Sequence, residues 1–432
     1  MSKTIGYKIG PSTAMALVVS SMIGTGVFTS LGYQLSDITN TWSIIALWVI
    51  GGFIALIGAF TYAELGTHFK ESGGDYIFLS RIFHPIWGYL YAWTSMTVGF
   101  SAPIAIAALA MAAYLSEPFG LGIYGKFIGI GIILLMSTIH SFNLKLSGRF
   151  QDYSSLFKVL FVIALIIIGL VSITYVDTAL DFDPHWTSDL VKPGFAVSLV
   201  YVSYAYQGWN QAAYITEEIH EPKKNLPRAL IIGTLVVMAL YVLLQVIMLK
   251  HASVTQLAGQ AEVTTISFAN ILDSRGVLII SVCIAIQLIA TISSYVWVGS
   301  RMINAMAKEH PLWYKLSRTS DRNIPVRAIW WQTAISIGLT LFVSLEQVML
   351  YAGFLLQLMS TVTIVASFYI KPKEGAFRSP FGRVLQVIYV LFSLFVLVYL
   401  LRERPTESII GLSLLAVGMM TYFIKPKVNE KL

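Results

Sequence analysis

Long apolar runs separated by short polar stretches repeat along the whole chain. A helix needs about 20 apolar residues to cross the hydrocarbon core of a bilayer, and twelve runs are near that length. We predict membrane spans over residues 10–32, 42–65, 86–114, 125–143, 153–175, 194–217, 228–250, 276–300, 326–344, 348–370, 382–401 and 406–424. The chain is therefore predicted to be an all-α membrane protein with no separate soluble domain.

The charged residues support this interpretation and give an orientation. Only 12% of the 432 residues are charged, against roughly 25% in soluble domains. Of the 29 Lys and Arg residues, 22 fall in loops on one side of a twelve-span arrangement, including Lys3, Lys8, Lys425, Lys427 and Lys431. Because positive loops face the cytoplasm, both termini are predicted to be cytoplasmic, in a plasma or inner cell membrane. The net charge of +7 is thereby explained by topology, and nucleic-acid binding is not expected.

Two predicted spans are interrupted by small or polar residues near their centres. The first contains "SSMIGTGVF", with Gly24, Thr25 and Gly26 together, and the sixth contains "YAYQGWN" at 204–210. Five spans run from the first through the fifth, and five from the sixth through the tenth. An odd-numbered repeat must be inverted in the membrane, and paired interrupted helices in two such halves indicate the binding site of a transporter.

An interrupted helix leaves backbone N–H and C=O groups without partners. Each such group costs several kcal/mol in hydrocarbon, so the interruption must line an enclosed cavity. There the N–H groups of Gly24, Thr25 and Gly26 form a seat for an anion, helped by the positive end of the half-helix that follows. Carbonyls before the interruption can accept from an ammonium group, so a zwitterion fits. The alternative is that Gly24 and Gly26 only allow close helix packing.

Four motifs carry a family resemblance. "MIGTGVF" resembles the first-helix signature of the amino acid–polyamine–organocation (APC) transporters, and "YAELGTHFKESGGDYIFL" resembles their signature after the second span. "AYQGWNQAAYITEEIHEPKKNLPRA" is similar to the L-type amino acid transporter (LAT) branch, and "GSRMINAMAKEHPL" is similar to the end of helix eight. The chain looks most like a bacterial-type homologue of the LAT branch.

The resemblance implies a LeuT-type fold in one integral membrane domain over 1–432. Residues 10–175 would form the first half of a 5+5 inverted repeat and residues 194–370 the second half, with helices one and six broken. Two additional helices would follow at 382–424. The mechanism implied is alternating access, with the substrate held between helices one, three, six and eight.

The resemblance also implies a set of site residues. Backbone groups and side chains around the two interruptions would bind the substrate, namely Met22, Ile23, Gly24, Thr25, Gly26, Tyr204, Ala205, Gln207 and Gly208. Residues implied in gating or coupling are Lys158, Thr291, Tyr204, Trp209 and Asn210. Among these, Tyr204 would be the aromatic gate over the substrate, and the carbonyls of Met22 and Ile23 would hold its amino group.

Lys158 lies inside the fifth span, where a charge costs roughly 2.5–3.5 kcal/mol on insertion scales. The simple alternative is that its side chain snorkels to the membrane surface. The resemblance implies instead that the ammonium replaces a metal cation between helices one, five and eight, beside Thr291. Sodium-independent transport follows from this interpretation. The sequence leaves open whether Lys158 is a fixed charge or exchanges a proton.

The chain departs from the LAT pattern in two places. Gln207 stands where a glycine is usual, which adds a polar side chain to the expected pocket. The loop "SEPFGLGIYGK" lacks the cysteine through which animal LAT proteins bind a glycoprotein partner, and the one cysteine, Cys283, lies in an apolar run. A disulfide-linked heavy chain is therefore not expected.

The predicted function is sodium-independent exchange of neutral amino acids across the lipid bilayer. A proton-coupled symporter is the nearest alternative, and a channel with a polar pore is an alternative of another class. An enzyme ranks last, because the spans contain no catalytic acid–base pair and no metal-ligand spacing. No cofactor or metal is expected.

Overall fold

The computed structural model describes residues 8–142, 144–173, 180–321, 323–371 and 373–424. Lys3, Lys425, Lys427 and Lys431, which contribute to the predicted orientation, lie outside these residues. So do residues 174–175, the predicted end of the first repeat.

Helices account for nearly all of the described chain, and the all-α prediction is confirmed. The α-helices are α1 (Pro11–Met22), α2 (Thr25–Gln34), α3 (Thr41–Phe69), α4 (Asp75–Ile82), α5 (Pro85–Thr94), α6 (Ser101–Phe119), α7 (Gly125–Phe142), α8 (Leu144–Val171), α9 (Pro193–Ala205), α10 (Pro222–His251), α11 (Val254–Leu257), α12 (Val263–Ala269), α13 (Ser274–Glu309), α14 (Val326–Phe342), α15 (Leu345–Ala366), α16 (Val384–Glu403) and α17 (Pro405–Phe423). A π-helical turn joins α5 to α6, and 3₁₀ turns cover Gly122–Tyr124, Pro184–Val191, Gln211–Glu218, Pro311–Ser317 and Ser367–Tyr369. In the described residues the only extended pairing is one isolated bridge between Ile9 and Ile219.

Ten helical stretches of the described chain are long and apolar enough to cross a membrane. Two of the twelve predicted spans fall on shorter helices. The predicted span 194–217 coincides with α9, which has 13 residues, and the span 326–344 coincides with α14, which has 17. The first falls short because α9 ends at Ala205 and a non-α segment follows. Large apolar side chains on the outer helices are exposed, such as Leu160, Leu170 and Leu391, as expected of surfaces that face lipid. The chain is a multi-pass membrane protein.

Local sequence explains where many helices begin. Proline occupies the first turn of α1, α5, α9, α10 and α17, where its fixed backbone angle suits a helix and its missing N–H is not needed. The Asn40 side chain accepts from the Trp42 N–H at 2.8 Å and caps α3. Ser344 and Gln347 form a reciprocal capping box at α15, which satisfies two otherwise free N–H groups.

The first predicted span consists of two helices, α1 and α2, separated by two residues. Helix α1 ends at Met22, both Ile23 and Gly24 have extended backbone angles, and α2 begins at Thr25. Helix α9 similarly ends at Ala205 and is followed by turns over 206–210. Gly208 has φ +108°, a conformation that glycine adopts readily and other residues rarely do.

These two helical ends lie in the interior of the bundle. Helix α10 packs against α1, α3 and α8, while α2 packs against α9. Helix α13 packs against α6, α8 and α14. The ends at Met22 and Ala205 are therefore enclosed by other helices rather than exposed to lipid.

Candidate functional site

The two helical ends are in close contact with each other. A Cβ placed on Gly26 would lie 2.5 Å from the Cα of Ala205, and one placed on Gly208 would lie 2.7 Å from the carbonyl oxygen of Ser21. Real Cβ atoms almost never approach so closely, so each contact requires glycine. The segments that the sequence analysis paired, 22–26 and 204–208, therefore meet in the fold.

The start of α2 lies at this contact and has no side-chain cap. Gly24 precedes the helix, and no side chain caps it in the described structure. The first N–H groups of a helix, here those of Thr25 and Gly26, have no partner within the helix. Thr25 is buried, and no side-chain hydrogen bond caps the start of α2. Such a helix start can hold a carboxylate by its N–H groups and its dipole.

The carbonyl groups that end the preceding helices meet a tyrosine hydroxyl. The Tyr241 O–H in α10 donates to the Met22 carbonyl at 2.6 Å, and the Ala205 carbonyl lies 3.3 Å from the same oxygen. Both Met22 and Ala205 were predicted to present carbonyls at the site, whereas Tyr241 was not predicted. One α10 turn later, the Gln245 amide donates to the Val27 carbonyl at 3.3 Å. Two polar side chains four residues apart in an apolar span were the available sequence signal.

Lys158 is buried beside Thr291. Its side chain is 3% exposed, and Nζ donates to the Thr291 hydroxyl oxygen at 3.0 Å. The Thr291 hydroxyl in turn donates to the Gln287 carbonyl at 3.0 Å. Lys158 belongs to α8, which packs against both α1 and α13. The structure thus brings together the two side chains that the sequence analysis paired, and burial in this contact does not fit simple snorkelling.

Tyr204, Trp209 and Asn210 are buried around the end of α9. The Trp209 ring contacts the Tyr62 ring edge-on, with centroids 4.7 Å apart. The Asn210 amide lies 3.4 Å from the Tyr214 hydroxyl. Trp209 therefore contacts α3, and Asn210 contacts the segment that follows α9.

Gln207 lines a different, narrow cavity. Its other lining residues include Ser203, Gln357 and Tyr389 from α9, α15 and α16, and within the described residues none comes from α1 or α2. This placement does not support direct contact between Gln207 and a ligand at Gly24–Gly26. The role of Gln207 in substrate binding therefore stays a prediction.

Two interrupted helices that meet at a backbone site inside a multi-pass bundle are typical of secondary transporters. The chain belongs to the amino acid permease family, whose profile matches residues 9–423. It is 29% identical to the human b(0,+)-type amino acid transporter 1 over 430 residues, which cover 96% of this chain and 87% of that one. The human large neutral amino acids transporter small subunit 2 is 28% identical over 431 residues, which cover 96% and 80% of the two chains.

These relatives confirm the resemblance to LAT-type members of the APC superfamily. The chain is an amino acid transporter and not an enzyme. Its one cysteine, Cys283, lies in helix α13, so the loop after the third span has no thiol for a disulfide with a second subunit.

Proposed function

We propose that this chain is a sodium-independent exchanger of neutral L-amino acids that works by alternating access. The observation that carries the proposal is the contact of Gly26 with Ala205, which joins a helix start, whose first N–H groups have no partner within the helix, to a helix end whose carbonyls can accept a further hydrogen bond. A zwitterion offers one group to each. The exchange step follows from the resemblance to the LAT branch.

In the proposed complex the substrate carboxylate accepts from the N–H groups of Gly24, Thr25 and Gly26. The amino group donates to the carbonyls of Met22 and Ala205. A carbonyl oxygen has two lone pairs, so Met22 can accept from Tyr241 and from the substrate together. Tyr204 is proposed as the gate, and the tight contact at Gly208 holds the second helix end in place.

The preference for neutral side chains is supported by the positions of the buried acids. Of the described acidic residues, Glu64, Asp75 and Asp189 are buried. Glu64 pairs with Arg383 at 3.3 Å and Asp189 with Lys192 at 2.6 Å, while Asp75, in α4, accepts hydrogen bonds from the hydroxyls of Tyr214 and Thr363. None of these carboxylates contacts the two helical ends, so none is available to bind a cationic substrate side chain there.

The remaining architecture is proposed on the same basis. Residues 10–175 and 194–370 would form the inverted repeats of a LeuT-type fold, with helices one and six broken and two helices added at 382–424. Both termini would lie in the cytoplasm of a cell whose plasma or inner membrane holds the protein. Lys158, with Thr291, would supply the positive charge that a sodium ion supplies elsewhere.

Transport by purified protein in liposomes tests the function directly. We expect uptake of labelled neutral amino acids that requires unlabelled amino acid inside and is unchanged when choline replaces sodium. Uptake driven by a pH gradient into empty liposomes would support a proton symporter instead. Flux that does not saturate and shows no counterflow would indicate a channel, and strict sodium dependence would contradict the role of Lys158.

Replacing Tyr241 by phenylalanine tests the carbonyl seat. The change removes the O–H that donates to Met22 and leaves two buried carbonyls without their partner, at a cost of about 1–3 kcal/mol. The two helix ends are then no longer held by one shared donor, so we expect the apparent affinity for substrate to fall about tenfold, which corresponds to about 1.4 kcal/mol. Tyr124→Phe, at an exposed tyrosine, should leave KM unchanged. A normal KM in Tyr241→Phe would show that this hydroxyl does not organise the site.

A further inference from the structure

An acidic residue outside the proposed substrate site is enclosed by donors. Asp75 is the first residue of α4, in the "SGGDY" stretch of the motif after the second span, and its exposed fraction is 0%. One carboxylate oxygen accepts from the hydroxyls of Tyr62 and, at 2.7 Å, Thr363. The other accepts from the Tyr214 hydroxyl at 2.6 Å and lies 3.5 Å from the Asn210 amide.

These donors come from three separate parts of the chain. Tyr62 belongs to α3, Thr363 belongs to α15, and Asn210 and Tyr214 belong to residues 206–218, here called the distal segment. The distal segment begins directly after Ala205 and includes Gly208. Asp75 therefore connects the continuation of the interrupted sixth span to two helices of the surrounding bundle.

The carboxylate is held by hydrogen bonds rather than by a cation. Among the ion pairs of the described residues, none includes Asp75. Burial raises the pKa of Asp75, and the hydroxyls of Tyr214, Tyr62 and Thr363 lower it in part. A buried carboxylate without a cation is stable only while its donors stay in place. Moving the distal segment away would remove two of these donors, Asn210 and Tyr214.

Backbone contacts hold the same loop against the distal segment. The Gly73 N–H donates to the Tyr214 carbonyl at 3.0 Å, and the Glu217 N–H donates to the Ser72 hydroxyl at 3.0 Å. Gly74 has φ +54°, and a Cβ there would lie 2.7 Å from the Tyr214 ring. The chain thus passes under the tyrosine ring at a point where only glycine fits, which directs the next residue, Asp75, toward the phenol group.

We infer that Asp75 is a positioning residue for transport: it fixes the distal segment against α3 and α15 and so keeps the substrate seat closed on the side where α4 lies. Opening on that side requires the hydrogen bonds from Asn210 and Tyr214 to Asp75 to break. The inference rests on the proposed function, because it gives this cluster a part in alternating access.

Asp75→Asn tests the inference, since the amide keeps the size of the side chain but has one oxygen fewer to accept. Glu71→Gln is the matched control, because Glu71 lies in the same loop and makes an exposed ion pair with Arg81 at 3.1 Å. The first measurement is hydrogen–deuterium exchange of the full-length protein over 206–218. Loss of an acceptor oxygen for Asn210 and Tyr214 should speed hydrogen–deuterium exchange there about tenfold, with no change in α7 and none in Glu71→Gln.

The second measurement compares KM on the two membrane faces in liposomes of known protein orientation. If Asp75 keeps the seat closed on the α4 side, weakening it shifts the population toward the state open to that side. The KM on the α4 side should then fall and the KM on the other side should rise, changing their ratio about tenfold. Tyr214→Phe, which removes one donor, should shift the ratio in the same direction by a smaller factor.

An unchanged rate of hydrogen–deuterium exchange over 206–218 in Asp75→Asn would overturn the inference. Faster hydrogen–deuterium exchange with an unchanged ratio of the KM values on the two membrane faces would also overturn it. Asp75 would then stabilise the fold without a part in gating. If Asp75→Asn does not fold, Tyr214→Phe decides between the same outcomes. If the wild-type protein transports no amino acid, the proposed function is refuted. The comparison of hydrogen–deuterium exchange would still show whether Asp75 holds the distal segment.

Discussion

Replacing Gly26 by alanine is expected to reduce amino acid exchange by roughly 10- to 100-fold, because overpacking a close contact costs about 1–3 kcal/mol. The added methyl group would lie 2.5 Å from the Ala205 Cα and 2.7 Å from its Cβ. The nearest of these atoms is backbone, so no side-chain rotation relieves the clash. The start of α2 must move away from the end of α9, which separates the N–H groups from the carbonyls that are proposed to hold one substrate.

The control for this experiment is Gly338→Ala in α14. A Cβ at Gly338 meets nothing within 4 Å, and alanine is favoured over glycine inside a helix. We expect Gly338→Ala to transport normally and to be at least as stable as the wild type. Thermal unfolding of both variants separates a local displacement from general misfolding. Normal exchange by Gly26→Ala would show that the two helical ends need not touch, and the proposed substrate seat would then be wrong.

The sequence analysis expected an interruption in the first span because a cluster of two glycines and a threonine lies inside its apolar run. The predicted span 10–32 falls on α1 and α2 together. The predicted pair of Lys158 and Thr291 lies at hydrogen-bond distance. The family resemblance suggested this pair, and the cost of a charge deep in an apolar run explains why a polar partner was expected for Lys158.

Other features depend on three-dimensional placement that residue type does not reveal. Tyr241 in an apolar span has the pattern of a packed core residue, yet its hydroxyl contacts Met22 and Ala205. Asp75 in a polar loop has the pattern of a solvated acid, yet it is buried. Gln207 lines a cavity to which, among the described residues, α15 and α16 contribute and α1 and α2 do not. In each case the direction of one side chain decides its role.

Replacing Lys158 by methionine is expected to reduce exchange about 100-fold while leaving the protein folded. Methionine has nearly the length of lysine without the charge, so it removes the ammonium and its hydrogen bond to Thr291 at 3.0 Å. A hydrogen bond to a charged group is worth about 1.5–3 kcal/mol, which corresponds to roughly a 10- to 150-fold change. The measurement is exchange of a labelled neutral amino acid in liposomes, together with the melting temperature of each variant.

Stability separates the functional role of Lys158 from a structural one. Burying an ammonium costs free energy, so an apolar side chain at this position should preserve or raise the melting temperature if the charge serves transport alone. Lys308→Met, at an exposed lysine of α13, is the control and should change neither property. Thr291→Val should reduce exchange less than Lys158→Met, and the double variant should be no worse than Lys158→Met because both changes remove the same contact. A melting temperature that falls in parallel with activity would show that Lys158 mainly holds α8 against α13. The proposal that its ammonium takes the place of a sodium ion would then be wrong.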